Sequence, residues 1–142
     1  MSIIRVIALA VMASGLCLAQ GASGTNFQGM VQEAKSRIKE ASTSQLKEWM
    51  DSGQKLILID VREDSEWQAG HAASAVHVGR GILERGIETA APDKAQRIVL
   101  YCHSGARSAL AADTLQKMGY TNVLSLAGGY TSYQAAGLPS QK

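Results

Sequence analysis

The chain has 142 residues, 14 Lys and Arg against 12 Asp and Glu, a formal net charge of +2 and 46% hydrophobic residues. That length suits one domain with one modest core. A near-neutral balance with no basic patch and no acidic tail argues against nucleic acid as a partner and against a solvating role, and no internal repeat is present.

Met1 to Arg5 carry one positive charge, and Val6 to Leu18 are almost wholly apolar or small. The run is short for a membrane span. Small residues at Cys17 and Ala19 fit signal-peptidase cleavage after Ala19, so residues 1–19 read as a signal peptide and the mature chain is expected in the periplasm or outside the cell, with no stable membrane association. Bulky Leu16 disfavours lipidation of Cys17, and an uncleaved anchor is the alternative. Removing 19 residues from 142 leaves 123 residues and a single thiol, Cys102. A lone thiol in an oxidising compartment excludes an internal disulfide or a CxxC pair, and leaves catalysis or mixed-disulfide contact with a partner as its use.

Residues 20–41 read as a flexible lead-in followed by a helix over Met30 to Ile38. Ser42-Thr43-Ser44 marks a helix start, with Leu46, Trp49 and Met50 on its apolar face and Gly53 at its end. Trp49 reads as core. Leu56 to Ile59 is a buried strand that runs into the charged group Asp60-Val61-Arg62-Glu63. A short helix follows at Asp64 to Trp67, closed by Gly70-His71. Ala75 to Val78 predicts a further strand, and Gly79 to Ala91 a loop and helix. Ile98 to Tyr101 and Asn122 to Leu126 are strands. Gly128-Gly129 turn the chain into a closing helix that carries Tyr130 and Tyr133 and stops at Gly137-Leu138-Pro139. Strands alternating with helices at these lengths imply a parallel α/β sheet.

The stretch Arg97 to Met118 organises the rest. An apolar strand delivers Cys102 at its carboxyl end, the polar turn His103-Ser104-Gly105-Ala106 follows, and Arg107-Ser108 open a helix with Leu110, Ala111, Leu115 and Met118 at helical spacing. In parallel α/β sheets ligands bind at that rim. Loop and first-turn N–H groups without intrahelical partners can converge there, and with the helix dipole and Arg107 they favour a thiolate over a thiol. The bland alternative is an inert buried cysteine.

The segments IDVRE, DSEWQAGH, AASAVHV, GRGILE, IVLYCHSGARSALAADTLQKMGYTNVLSLAGGY and AGLP stand in one order over roughly Ser42 to Pro139. Together they resemble a single-domain rhodanese. The resemblance implies a domain over residues 42–139 with a rhodanese-like α/β fold, a five-stranded parallel sheet flanked by helices on both faces. It implies transfer of sulfane sulfur through a cysteine persulfide, from thiosulfate or a related donor to cyanide or a thiol, which includes a thiol protein. No cofactor is implied, and a monomer is expected. Carried onto this sequence, Cys102 matches the nucleophile, and His103, Ser104, Gly105, Ala106, Arg107 and Ser108 match the active loop. Arg107, with Arg80 from the GRGILE match, is the expected anion-binding pair. Asp60, Arg62, Glu66 and His71 match scaffold positions. The sequence departs at Ala72-Ala73, where the family more often has an aliphatic residue and proline.

Dual-specificity phosphatases on a related fold place five residues between cysteine and arginine, to close around phosphate. Here four residues, His103 to Ala106, separate Cys102 from Arg107, a smaller cradle suited to one sulfur atom. A zinc site from His71, His77, His103 and Cys102 lacks a compact ligand pair, so His71 and His77 read as structural and no metal is expected. His103 either tunes substrate charge or stands solvated. A non-catalytic exported binding module is the remaining alternative.

Overall fold

The computed structural model describes residues 26–142. In chain order the elements are α1 (Phe27–Arg37), β1 (Lys39–Ala41), α2 (Thr43–Asp51), β2 (Ile57–Asp60), α3 (Asp64–Ala69), β3 (His71–Ala72) and β4 (Ala75–His77). A 3-10 turn at Arg80–Ile82 then leads into α4 (Leu83–Ala90), β5 (Ile98–Tyr101), α5 (Ala106–Lys117), β6 (Val123–Leu126), α6 (Gly129–Ala135) and β7 (Ser140–Gln141).

Five of the strands form one sheet in the order β1-β6-β5-β2-β4, and every pair in it is parallel. The three interior strands, β6, β5 and β2, are built from apolar runs because both of their faces are covered. Ile98, Leu100 and Cys102 face one core with Ala111, Ala112 and Leu115 of α5 and Leu83 and Ile87 of α4. Val99 and Tyr101 face the other with Leu46 of α2 and Tyr130 and Tyr133 of α6. This is the α/β sheet with helices on both faces that the sequence predicts.

Local signals explain the helix ends. Ser42 and Gln45 form a reciprocal cap, Gln45 N–H donating to Ser42 Oγ at 3.1 Å and Ser42 N–H to Gln45 Oε1 at 2.9 Å. Asn26 Oδ1 accepts from Gly29 N–H at 2.9 Å, which starts α1 three residues before the predicted Met30. Arg37 of α1 makes two bonds to the buried Asp113 of α5, at 2.8 and 3.1 Å, and Lys117 adds a third at 2.8 Å. Those cations hold the Asp113 carboxyl at about 2.

Two features depart from the sequence reading. Lys39–Ala41, assigned to the lead-in segment before the domain boundary at Ser42, is the edge strand of the main sheet. Only Ala41 of the three is buried, so the pairing is carried by backbone and leaves little pattern in the side chains. The folded unit therefore includes α1 and β1. Gly70 closes α3 as read, but His71, read with it as part of the helix end, begins a strand with Ala72 that pairs antiparallel with Ser140–Gln141. The expected signal peptide (1–19) and most of the flexible lead-in, Cys17 included, lie outside the described residues.

Candidate active site

Cys102 follows β5 at the carboxyl end of the sheet and is 1% exposed. Next come His103 and Ser104, both exposed, and then Gly105, whose φ of +101° turns the chain into α5. A side chain would strain that backbone, while its Cβ would only come into ordinary contact with Gly128 N at 3.4 Å and Leu126 O at 3.5 Å. The turn aims Gly105 N–H at Cys102 Sγ, 3.1 Å away. Ser108, one turn into α5, lies with its hydroxyl 3.6 Å from the same sulfur. Among the loop N–H groups expected to converge on the sulfur, that of Gly105 alone bonds to it. The first-turn N–H groups of Ala106, Arg107 and Ser108 have no intrahelical acceptor. The sulfur thus sits on the floor of a polar loop at a helix start.

The loop is held from the opposite face by α6. Tyr130 N–H donates to Cys102 O at 2.7 Å, and Thr131 donates to His103 O from both N–H and Oγ1 at 3.1 Å. This approach needs glycine at 129. A Cβ there, at a φ of +58°, would stand 2.5 Å from Cys102 O and 2.7 Å from His103 O. The sequence shows Gly128-Gly129 as a turn, but not that the turn is clamped onto the cysteine loop.

The four scaffold residues do separate work. Asp60, fully buried, receives Arg62 Nη2 at 2.6 Å, and the same guanidinium nitrogen donates to Gly70 O at 2.8 Å. The guanidinium lies 4.2 Å over the ring of Tyr130 and thereby supports the residue that grips Cys102 O. Burial pushes the neighbouring Tyr101 phenol well above its ordinary range, and its oxygen accepts Ala72 N–H at 3.1 Å. His71 is buried and stacked on Trp67, which His77 covers from 4.9 Å. With Nδ1 on Trp67 O at 3.0 Å and Nε2 facing Gln141 Nε2 at 3.2 Å, the ring ties α3 to the C-terminal strand.

Glu66 has the closest bearing on the loop. Its carboxylate takes both terminal nitrogens of Arg107, at 2.7 and 2.9 Å, and Glu63 adds an oxygen at 3.8 Å. This fork, together with the Glu63 N–H, holds the Glu66 carboxyl at about 2, and Glu66 in turn raises Arg107. Arg107 therefore stands at the site already paired. Arg80 departs from expectation. Its guanidinium bonds Glu84 Oε1 at 3.1 Å and Thr114 Oγ1 at 3.2 Å. Thr114 lies eight residues beyond Ala106, about 12 Å down α5 from the loop. The i,i+4 pairing with Glu84 and the hydroxyl of Thr114 draw Arg80 away from the rim, and it does not join Arg107 at the sulfur. Sequence reading also passed over Ser125, a buried hydroxyl 2.8 Å from Ser108 Oγ.

A parallel sheet that delivers a cysteine into a short loop before a helix defines a class of α/β proteins whose site lies at the carboxyl rim of the sheet. The sequence matches the rhodanese-like domain family over residues 42–136, and the chain belongs to that family. It is 36% identical over 70 residues to the thiosulfate sulfurtransferase PspE of Escherichia coli, an alignment covering 49% of this chain and 67% of PspE. It is 34% identical over 110 residues to MoeZ of Mycobacterium tuberculosis, covering 75% of this chain and 28% of MoeZ, so it spans little more than a quarter of that relative. A solved Rhodopseudomonas palustris protein, described as of unknown function and a possible tyrosine phosphatase, superposes with a TM-score of 0.76 at 30% identity. The superposition covers 82% of this chain and 95% of that one. Family and sulfurtransferase relatives together support sulfur transfer as the general chemistry.

Proposed function

We propose that the protein moves sulfane sulfur from thiosulfate or a related donor to cyanide or a thiol, through a persulfide on Cys102. One observation carries the reading: Cys102 Sγ lies at the base of the loop, with Gly105 N–H and the Ser108 hydroxyl on it. Donors placed there stabilise a negative sulfur more than a neutral one.

The Cys102 thiolate attacks the outer sulfur of thiosulfate, a new S–S bond forms, and the bond to the sulfonate sulfur breaks. Sulfite leaves with the bonding pair as a dianion, and Cys102–S–S⁻ carries one negative charge on its outer sulfur, so total charge is conserved. The added sulfur extends about 2 Å beyond a buried Sγ, into the mouth of the loop where His103 and Ser104 are exposed. The first-turn N–H groups of Ala106, Arg107 and Ser108 are then the available donors for it. Cyanide or a thiolate attacks this outer sulfur and leaves the Cys102 thiolate. No second cysteine is required.

Phosphoryl chemistry fits the site less well. A phosphate needs a loop long enough to surround its oxygens, and the four residues between Cys102 and Arg107 make a smaller cradle; Arg107 is in addition forked onto Glu66. The same pairing suggests that thiosulfate, a dianion, is oriented by loop N–H groups more than by a free guanidinium. We further propose that the protein is exported and cleaved after Ala19; intact mass from the native compartment tests this, and a full-length or lipidated mass contradicts it. A thiosulfate:cyanide assay on the purified chain tests the activity. Thiocyanate should form in a ping-pong pattern, and a chain that binds partners but yields no thiocyanate would be a binding module instead.

A further inference from the structure

Ser125 is the one polar side chain of β6 and has no exposed surface. Strand alternation puts it on the face that carries Val123 and meets α5. Its hydroxyl lies 2.8 Å from Ser108 Oγ, its single side-chain partner among the described residues. Ser108 Oγ has two further neighbours, Gly105 O at 3.3 Å and Cys102 Sγ at 3.6 Å.

Each hydroxyl has one proton, and counting them decides the direction of the pair. If Ser108 donates to Ser125, the Ser125 proton is buried with no acceptor, and the sulfur loses a donor. If Ser125 donates to Ser108, both protons are satisfied, and that of Ser108 can turn to Gly105 O or to Cys102 Sγ. An unpaired buried donor is costly, so the second arrangement is preferred. Accepting a bond also makes a hydroxyl a better donor, and a negative sulfur is the stronger of its two acceptors.

We infer that Ser125 is a positioning residue for the chemistry at Cys102: it fixes the Ser108 hydroxyl as a donor and directs its proton to the sulfur when that sulfur is anionic. Ser125 touches neither substrate nor Sγ. The inference deepens the sulfur-transfer reading and rests on it, but its effect on the bare thiolate can be read without any sulfur donor.

The test compares wild type, Ser125→Ala, Ser108→Ala, the double variant and Ser125→Thr. Two rates are followed, alkylation of Cys102 by iodoacetamide across a pH series and thiosulfate turnover, with urea unfolding as the check on folding. Ser125→Ala should slow alkylation at neutral pH by about three- to tenfold, the size of one hydrogen bond, and shift its profile to higher pH. It should lower kcat by a similar factor with little change in KM. The double variant should be no slower than Ser108→Ala, because the relay is already broken there. Ser125→Thr keeps the hydroxyl and should react within about twofold of wild type. Wild-type alkylation in Ser125→Ala, or an effect that adds in full to Ser108→Ala, would overturn the inference. Coupling in alkylation together with no thiosulfate turnover by wild type would instead sustain the relay and remove the sulfur-transfer reading.

Discussion

Gly129→Ala should damage sulfur transfer in a protein that still folds. The added Cβ meets Cys102 O at 2.5 Å, His103 O at 2.7 Å and the His103 carbonyl carbon at 2.8 Å. Ordinary contact begins near 3.4 Å, so the loop or α6 must yield by the better part of an ångström. Backbone shifts of this kind cost about 1–3 kcal/mol, and left-handed backbone in a residue with a Cβ adds about 1–2 kcal/mol. The total, about 2–5 kcal/mol, stays below the roughly 10 kcal/mol of a domain of middling stability, so the variant should fold at room temperature. The groups that must move are the ones that position Cys102, and a misplacement of about 1 Å can cost on the order of 100-fold in rate. Gly53→Ala is the control, since Gly53 has a similar φ of +68° and open space around it. Urea unfolding should show the larger shift in midpoint for Gly129→Ala with the slope unchanged. Thiosulfate turnover should fall about 10- to 100-fold in Gly129→Ala and stay at wild type in Gly53→Ala. If the two variants match in both measurements, the clamp of α6 on the loop does not position the sulfur.

The Glu66–Arg107 fork predicts an acid-sensitive loop. A carboxyl held at about 2 when folded, against an ordinary 4.5, binds fewer protons than in the unfolded chain, so its stabilisation is complete above about pH 4.5 and is lost as pH falls towards 2. Glu66→Gln should therefore flatten the pH dependence of the urea midpoint between those values, and an unchanged slope would contradict the pairing. Asp113, also held at about 2, adds acid sensitivity at the contact of α1 with α5. Arg107→Ala should reduce thiosulfate kcat/KM severalfold, whereas Arg80→Ala, with its guanidinium on Glu84 and Thr114, should leave it within about twofold of wild type. Steady-state kinetics on both variants checks this, and a larger loss in Arg80→Ala would mean that Arg80 swings back to the rim in the working enzyme.

Much of the architecture was legible because its signals are local. Strands β2, β5 and β6 are apolar runs, and Ser42 and Gly53 bound α2 by their own chemistry. What escaped is long-range or carried by backbone. Lys39-Glu40-Ala41 has no apolar run, and its place beside β6 depends on main-chain hydrogen bonds. His71 and Gln141 are 70 residues apart, and nothing in either segment announces the other. At the site, the cysteine at a strand end and the polar loop after it were readable. The state of the charges was not: Glu66 and Arg107 are 41 residues apart, so a sequence shows an available arginine where the fold provides a paired one. Arg80 was placed by motif, and its side chain followed a nearer carboxylate. Ser125 was hidden in an apolar strand, where one serine carries no periodic signal of a partner on α5.

The central claim is that Cys102 carries the sulfur. Incubating the protein with thiosulfate alone, then mapping the adduct by mass spectrometry, addresses it without an acceptor or a coupled assay. The expected result is a gain of about 32 Da on the peptide containing Cys102, removed by cyanide and absent from Cys102→Ser. Transfer to cyanide by the serine variant, or turnover by wild type with no adduct at any thiosulfate concentration, would contradict the account.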